Sequence, residues 1–365
     1  MKPRNRDSGT VRRVGREIVE SEAKVIALAD ISRRESESGQ RMSVRFIGPA
    51  VATVLVTVVS SETAISQRSV PSTEVRESRI SVGNAAIYAR TIGQGRPMIV
   101  LHGGPDFDQA YLLPEFDRYA DAFRLIYYDQ RGRGKSARGV EPQDVSLGTE
   151  IDDLDKVREH FQLTAPVLLG HSWGAVLALE YALRHPTRVS HLILMNPAPV
   201  SVADVGVLRK AYMAQLGADM EKQKEIFSSA AYQSGDPVAV AARYRIHFKH
   251  GLTRPADYER LMTRMAAAFS DQGAAGIVKA RAVEDRLMRE TWASASYDLL
   301  PKLRNLRIPT LVIVGVDDFI PVEIAARIAR AIPDARLVSI RACGHFAYLE
   351  CPAEARAAVD GFLQK

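Results

Sequence analysis

Val167-Leu168-Leu169-Gly170-His171-Ser172-Trp173-Gly174, followed by a helical stretch over 175–184, decides the fold of this chain. Three apolar residues running into a glycine read as a short buried strand, and the alanine- and leucine-rich text behind them reads as a helix. The junction holds Gly-x-Ser-x-Gly, and the strand–turn–helix setting turns that otherwise weak pattern into a nucleophile elbow. A serine at the tip of so sharp a turn sits on strained backbone, and neighbouring side chains would collide. Gly170 and Gly174 avoid the collision. The helix N-terminus behind the serine favours negative charge developing beside it.

Outward from the elbow the chain repeats the strand-then-helix rhythm. Apolar runs recur at 98–101, 125–128, 192–195, 310–314 and 337–340, with helical stretches between them. Such runs joined by crossovers form a largely parallel sheet with helices on both faces, so the expected class is α/β. Upstream, Ile80-Ser81-Val82, Gly83-Asn84 and the run 85–88 read as a hairpin opening a folded body near Val75. Between Pro199 and Pro301 the strand-like runs stop and amphipathic helical text takes over, as in 209–216 and 258–269. The economical organisation is a core of residues 75–199 and 301–365 carrying an inserted helical lid over 200–300.

A serine hydroxyl is a weak nucleophile until a base takes its proton, so a histidine must follow the elbow, with a carboxylate to orient it. His345 fits, lying in Cys343-Gly344-His345-Phe346 after the last strand-like run and ahead of the helix that follows Pro352. The other seven histidines fit less well. His102 precedes the elbow, His171 sits inside it, and His160, His185 and His191 stand near element ends. His247 and His250 form an i,i+3 pair without nearby Asp, Glu or Cys ligands, so neither a metal nor another cofactor is expected. The acid belongs in the loop after the run 310–314, where Asp318 is favoured and its neighbour Asp317 is the alternative. His102-Gly103-Gly104-Pro105 follows the run 98–101, and the backbone N–H of Gly104, with that of Trp173, would hold an oxyanion.

Gly132-Arg133-Gly134-Lys135-Ser136 looks like the tail of a phosphate-binding loop, but the first glycine of that pattern falls on Asp129. The motif fails, and Asp129-Gln130-Arg131-Gly132 is read as a loop that shapes the site without chemistry of its own. Cys343 and Cys351 flank the turn containing His345. They are read as two free, partly buried thiols, with a disulfide as the alternative if the protein is exported.

Composition narrows the function classes. With 365 residues, 46% hydrophobic, 25% charged and two cysteines, the chain is not disordered, collagenous, a disulfide-stapled miniprotein or a multi-span membrane protein. The net charge of +6 is concentrated at the start: residues 1–45 hold 11 Lys/Arg against 7 Asp/Glu. No basic cluster with interleaved aromatics follows residue 75, which argues for a small-molecule or short-peptide substrate and against nucleic acid. Residues 1–41 read as a basic, disordered leader. In 42–66, Arg45, the apolar run 46–59 and Ala64-Ile65-Ser66 read as a signal segment cut before Gln67. The 14-residue run would rise about 21 Å as a helix, short of the roughly 30 Å of a bilayer core, so no stable span is expected. The expectation is export to the periplasm or beyond, with a cytoplasmic protein as the alternative.

Together these motifs resemble the prolyl aminopeptidase (proline iminopeptidase) branch of the α/β-hydrolases. That branch carries His-Gly-Gly-Pro, Asp-Gln-Arg-Gly-x-Gly-x-Ser, Gly-x-Ser-Trp-Gly and a late Gly-His, which stand here at 102–105, 129–136, 170–174 and 344–345. The resemblance covers about residues 75–363, strongly in the sheet and faintly in the lid. It implies an α/β-hydrolase fold and a metal-free serine hydrolase acting through an acyl-enzyme. Ser172 would be the nucleophile, His345 the base and Asp318 the orienting acid. The implied reaction releases N-terminal proline or another apolar residue from small peptides or amides.

Two departures bear on substrate. Pro105 is followed by Asp106 where the branch usually has glycine, which makes Asp106, with Trp173, a candidate substrate-binding residue. The branch also holds the substrate's α-amine with acidic lid residues, for which Asp236, Glu284 and Asp285 are candidates. A small ester or lactone is the alternative substrate, and a non-catalytic ligand-binding module is the reading from another class. Nothing in the sequence sets an oligomeric state.

Overall fold

The computed structural model describes residues 74–364. The leader and the signal-like segment lie outside the described residues. Strands β1 (Arg76–Val82) and β2 (Ala85–Ile92) pair antiparallel with Val82 opposite Ala85, so Gly83 and Asn84 alone make the turn. Gly83 takes a left-handed φ of 67° there, as a two-residue hairpin loop demands. Then come β3 (Arg96–Leu101), β4 (Phe123–Tyr128), α1 (Leu147–His160), β5 (Val167–His171), α2 (Trp173–Arg184) and β6 (His191–Met195).

Five helices follow β6: α3 (Val202–Leu216), α4 (Asp219–Ser228), α5 (Ala230–Gln233), α6 (Pro237–His247) and α7 (Pro255–Glu290), the last kinked at Gly273. The chain returns to the sheet through α8 (Leu300–Leu303), β7 (Thr310–Gly315), α9 (Val322–Ala331), β8 (Ala335–Ile340), α10 (Ala347–Glu350) and α11 (Pro352–Leu363). The eight strands lie in the order β1-β2-β4-β3-β5-β6-β7-β8, with every pairing from β4 to β8 parallel.

The middle of the sheet explains why its strands are continuous apolar runs rather than alternating ones. All residues of β5 and β7 are buried, as are the last four of β3 and β6, so both faces of these strands are covered. Helix α2 packs on β3, β5 and β6, while α9 and α11 pack on β7 and β8. Each fully buried leucine or isoleucine of these strands contributes about 1.5–3 kcal/mol relative to exposure. Because β3 to β8 run parallel, their C-terminal ends share one edge, where a doubly covered sheet places its ligand. The loops there carry residues 102–105, Ser172, Asp318 and His345.

One expectation is corrected. Cys343 and Cys351 are not free thiols but a disulfide, with Cα atoms 6.1 Å apart. The single turn of α10 folds the chain back between them, so Cys351, capping α11, meets the loop that carries His345. Among the described residues no helix is long and apolar enough to cross a membrane.

Candidate active site

Ser172 joins β5 to α2 at φ 54°, ψ −117°, a region non-glycine residues rarely occupy and one that costs roughly 1–3 kcal/mol. Three backbone hydrogen bonds hold it there. Ser172 N–H donates to Met195 O at 3.0 Å, and Ser172 O accepts from Ala175 N at 3.0 Å and Ala198 N at 3.2 Å. The flanking glycines are required by close approach: a Cβ on Gly170 would strike the Gly174 carbonyl, and one on Gly174 would strike that of Leu101.

Asp318 and His345 meet across the loops after β7 and β8. Nδ1 of His345 lies 3.0 and 2.9 Å from the two carboxylate oxygens, and both residues are buried. The same carboxylate accepts Ile320 N–H at 2.8 Å and the Asn196 amide at 2.9 Å, and Asn196 also donates to Gly344 O at 3.0 Å. Asp317 is exposed and contributes its backbone N–H to Cys343 O. Of the adjacent acids, the structure therefore brings Asp318 to the histidine. With Nδ1 bound to a carboxylate, the imidazole keeps Nε2 for other work, and its ring lines the cavity that Ser172 lines.

The cavity has a volume of about 150 Å³. Gly103 and Gly104 form one wall, with Gly104 at φ 121°, where a Cβ would crowd the amides of Asp106 and Phe107. Trp173 is the first residue of α2, whose N–H has no partner inside the helix. Its indole is not at the cavity wall, contrary to its expected place beside substrate: it is fully buried, edge-on at 5.5 Å to Trp292, which does line the cavity.

The outer wall comes from the helical insertion, through Leu208 of α3, Arg243, Tyr244 and His247 of α6, and Glu284 and Met288 of α7. Asp106 faces them and accepts a hydrogen bond from the Tyr244 hydroxyl. Burial pushes the Asp106 carboxyl up, and it pushes Glu284 up to about 8, with the charge of Asp106 adding and Arg243 opposing. The other two lid candidates stand elsewhere. Asp236 caps α6 through Ala239 N at 2.8 Å, and Asp285 is exposed.

Several residues that sequence reasoning set aside prove to hold the site together. His171 takes up a hydrogen bond with the His345 carbonyl through Nε2 at 2.9 Å and one with the Tyr111 hydroxyl through Nδ1 at 2.7 Å. Tyr111 in turn accepts Gly103 N–H at 2.7 Å. The only consistent proton placement has Nε2–H donating to the carbonyl and Tyr111 donating to Nδ1. Burial, then the neighbouring His345, holds His171 well below the usual histidine range, which keeps it neutral. The loop that mimics a phosphate-binding tail is a brace. Gln130 donates its amide to His102 O at 2.8 Å and its backbone N–H to His102 Nε2 at 3.0 Å, while Arg133 grips both Gln130 and Glu150. No local pattern marks Tyr111 or Asn196. For Gln130 the signal was the Asp-Gln-Arg-Gly motif itself, whereas Arg133 stands just beyond it at an unspecified position.

Residues 96–352 match the family model described as alpha/beta hydrolase fold. A proline iminopeptidase of Neisseria gonorrhoeae is 29% identical over 273 residues, covering 70% of this chain and 84% of the relative. A proline iminopeptidase-related protein of Thermus thermophilus superposes with a TM-score of 0.61 at 23% identity, over 80% of this chain and 98% of that one. Est816, an N-acyl homoserine lactone degrading enzyme, superposes with a TM-score of 0.56 at 22% identity, over 78% of this chain and 100% of that one. At those identities the two structural likenesses speak for the fold alone.

Proposed function

The chain belongs to the α/β-hydrolase-fold family, and from that premise we propose that it is a serine hydrolase releasing N-terminal proline or another apolar residue from small peptides or amides. The observation that carries this reading is the Asp318 carboxylate on Nδ1 of His345, in one cavity with a serine on a strained elbow.

The Ser172 hydroxyl attacks the substrate carbonyl carbon while Nε2 of His345 takes its proton, and Asp318 stabilises the imidazolium. The carbonyl oxygen becomes an anion received by the backbone N–H groups of Gly104 and Trp173. His345 returns its proton to the departing amine as the C–N bond breaks, leaving an acyl-enzyme. Water, giving a proton to the same imidazole, then attacks the acyl carbon and restores Ser172. Asp106 and Glu284 face the substrate's α-ammonium, whose positive charge favours the ionised form of each carboxyl, and Phe107, Phe319 and Trp292 supply apolar wall for its side chain. The helical insertion serves as the lid over this cavity.

A fluorophosphonate probe should label the folded protein, and Ser172→Ala should abolish the labelling. A prolyl arylamide should be hydrolysed, and its N-acetylated form should not. Equal rates for the two, or turnover of short aryl esters and lactones alone, would move the reading to an esterase or lactonase that uses the same serine. Absence of labelling in a protein with native circular dichroism would favour a ligand-binding module.

A further inference from the structure

Arg243 stands in the cavity wall without an ion pair: the charges of Asp106 and Glu284 act on it across the cavity, but neither carboxylate grips it. Two other interior arginines are gripped by two-point ion pairs: Arg90 with Asp117 at 2.8 and 2.7 Å, and Arg133 with Glu150 at 2.7 and 3.1 Å. Arg243 has no such partner. Among the described residues no carboxylate stands within 4.0 Å of its guanidinium, and its Nε is buried without a hydrogen bond. Its neighbours are aromatic faces, with the guanidinium carbon 4.1 Å from the Tyr244 ring centre and 5.4 Å from that of Phe227. A guanidinium cannot shed its proton to escape this position, and stacking on a ring leaves its in-plane N–H fork unused.

The two acids of the cavity do not fill the fork. Asp106 is engaged by the Tyr244 hydroxyl, and burial pushes Glu284 up to about 8, so it carries little charge at neutral pH until a cation enters the cavity. A planar guanidinium on a cavity wall selects a carboxylate, which it can bind through two parallel hydrogen bonds. In a peptide substrate the carboxylate fixed in place relative to the scissile bond is that of the leaving residue. The cavity is small, about 150 Å³, so a short ligand seated at Ser172 has both ends close to its wall. Two residues span at most about 7 Å, a length over which an ammonium at Asp106 and a carboxylate at Arg243 are served by adjoining parts of one wall.

We propose that Arg243 binds the C-terminal carboxylate of the substrate, making the enzyme selective for unblocked dipeptides. This rests on the aminopeptidase reading above and narrows its substrate class. Its discriminating comparison is prolylglycine against prolylglycinamide, which differ only in the carboxylate, with a prolyl arylamide as the control for the underlying activity. The native protein should turn over the dipeptide with a kcat/KM about 10–100 times that of its amide, because a buried donor left unpaired by the amide is penalised. Arg243→Gln should bring that ratio to about one, and Arg243→Lys, which keeps the charge but loses the fork, should leave it in between.

The ratio is insensitive to a general loss of folded enzyme. Equal kcat/KM for dipeptide and amide in the native protein, or an unchanged ratio in Arg243→Gln, would overturn the assignment while the arylamide activity left the aminopeptidase reading standing. No turnover of any of the three by protein that still labels at Ser172 would overturn both.

Discussion

Replacing Glu284 by glutamine puts the buried acid of the outer wall to a quantitative trial. In the folded protein burial lifts this carboxyl to about 8, against an ordinary value of 4.5. Between those two pH values the folded protein holds a proton that the unfolded chain has released. Stability therefore declines as pH rises from about 4.5, and levels off above about 8. At ~1.4 kcal/mol per pH unit the whole shift corresponds to ~5 kcal/mol. Glu284 shares its proton balance with Asp106 and lines a cavity that solvent reaches, so an effect of about 2–3 kcal/mol is the sounder expectation. Glutamine keeps the shape of the protonated acid and cannot ionise. Urea unfolding of both proteins from pH 5 to pH 9 should show near-equal stability at pH 5. At pH 9 the variant should be more stable by about 2–3 kcal/mol, with a flatter profile throughout. KM for a prolyl arylamide should rise in the variant, because glutamine cannot release a proton to become the anion that a bound ammonium favours. A stability difference that stays constant from pH 5 to pH 9 would refute the placement of an uncharged carboxyl in the cavity wall.

The adjacent acids after β7 should behave in opposite ways. Asp318→Asn is expected to lower kcat about 10³–10⁴-fold by misorienting the imidazole, and Asp317→Asn, on an exposed side chain, to change it less than about twofold; steady-state kinetics decides, and the reverse ranking would exchange the two. Tyr111→Phe strands the buried Gly103 N–H and His171 Nδ1, so it should destabilise the fold by about 2–4 kcal/mol, read as a lower urea midpoint at unchanged slope. A chain exported and cut after Ser66 would keep every described strand, since β1 begins at Arg76, and the Cys343–Cys351 bond suits an oxidising compartment. Intact mass of protein from its native host should therefore show a start near Gln67, and a full-length cytosolic chain would contradict export.

The sheet could be read from the sequence because a strand covered on both faces has only one way to be written. Residues 167–169, 192–195 and 311–314 are unbroken apolar runs, and each lies inside an observed strand. The elbow was readable for a related reason: its two glycines answer backbone contacts made within a few residues of sequence and across one strand pair. The cysteines show the limit of spacing. Their separation is compatible with either state, and only the turn of α10, packed under the histidine loop, brings them together.

The outer wall was harder to read because amphipathic helices record that one face is buried without recording what covers it. Glu284 and Asp285 are neighbours in sequence, yet one step around a helix turns the first into the cavity and the second to solvent. Asp236 could have been set aside at once: Asp before Pro at a helix start is the signature of a capping residue, and a carboxylate engaged by a backbone N–H is not free for an amine. Arg243 offered no signal at all, since an arginine on a helix is ordinarily a solvated residue. What distinguishes it is a place in the cavity wall, stacked on Tyr244, with no carboxylate within 4.0 Å among the described residues, a property that exists only once α6 is laid across the end of the sheet. The fold of this protein is written in local patterns of apolar residues and glycine, whereas its selectivity depends on charges that become unusual only through burial. The cavity chemistry therefore has to be tested through Asp106, Arg243 and Glu284, rather than through the motifs this chain shares with its relatives.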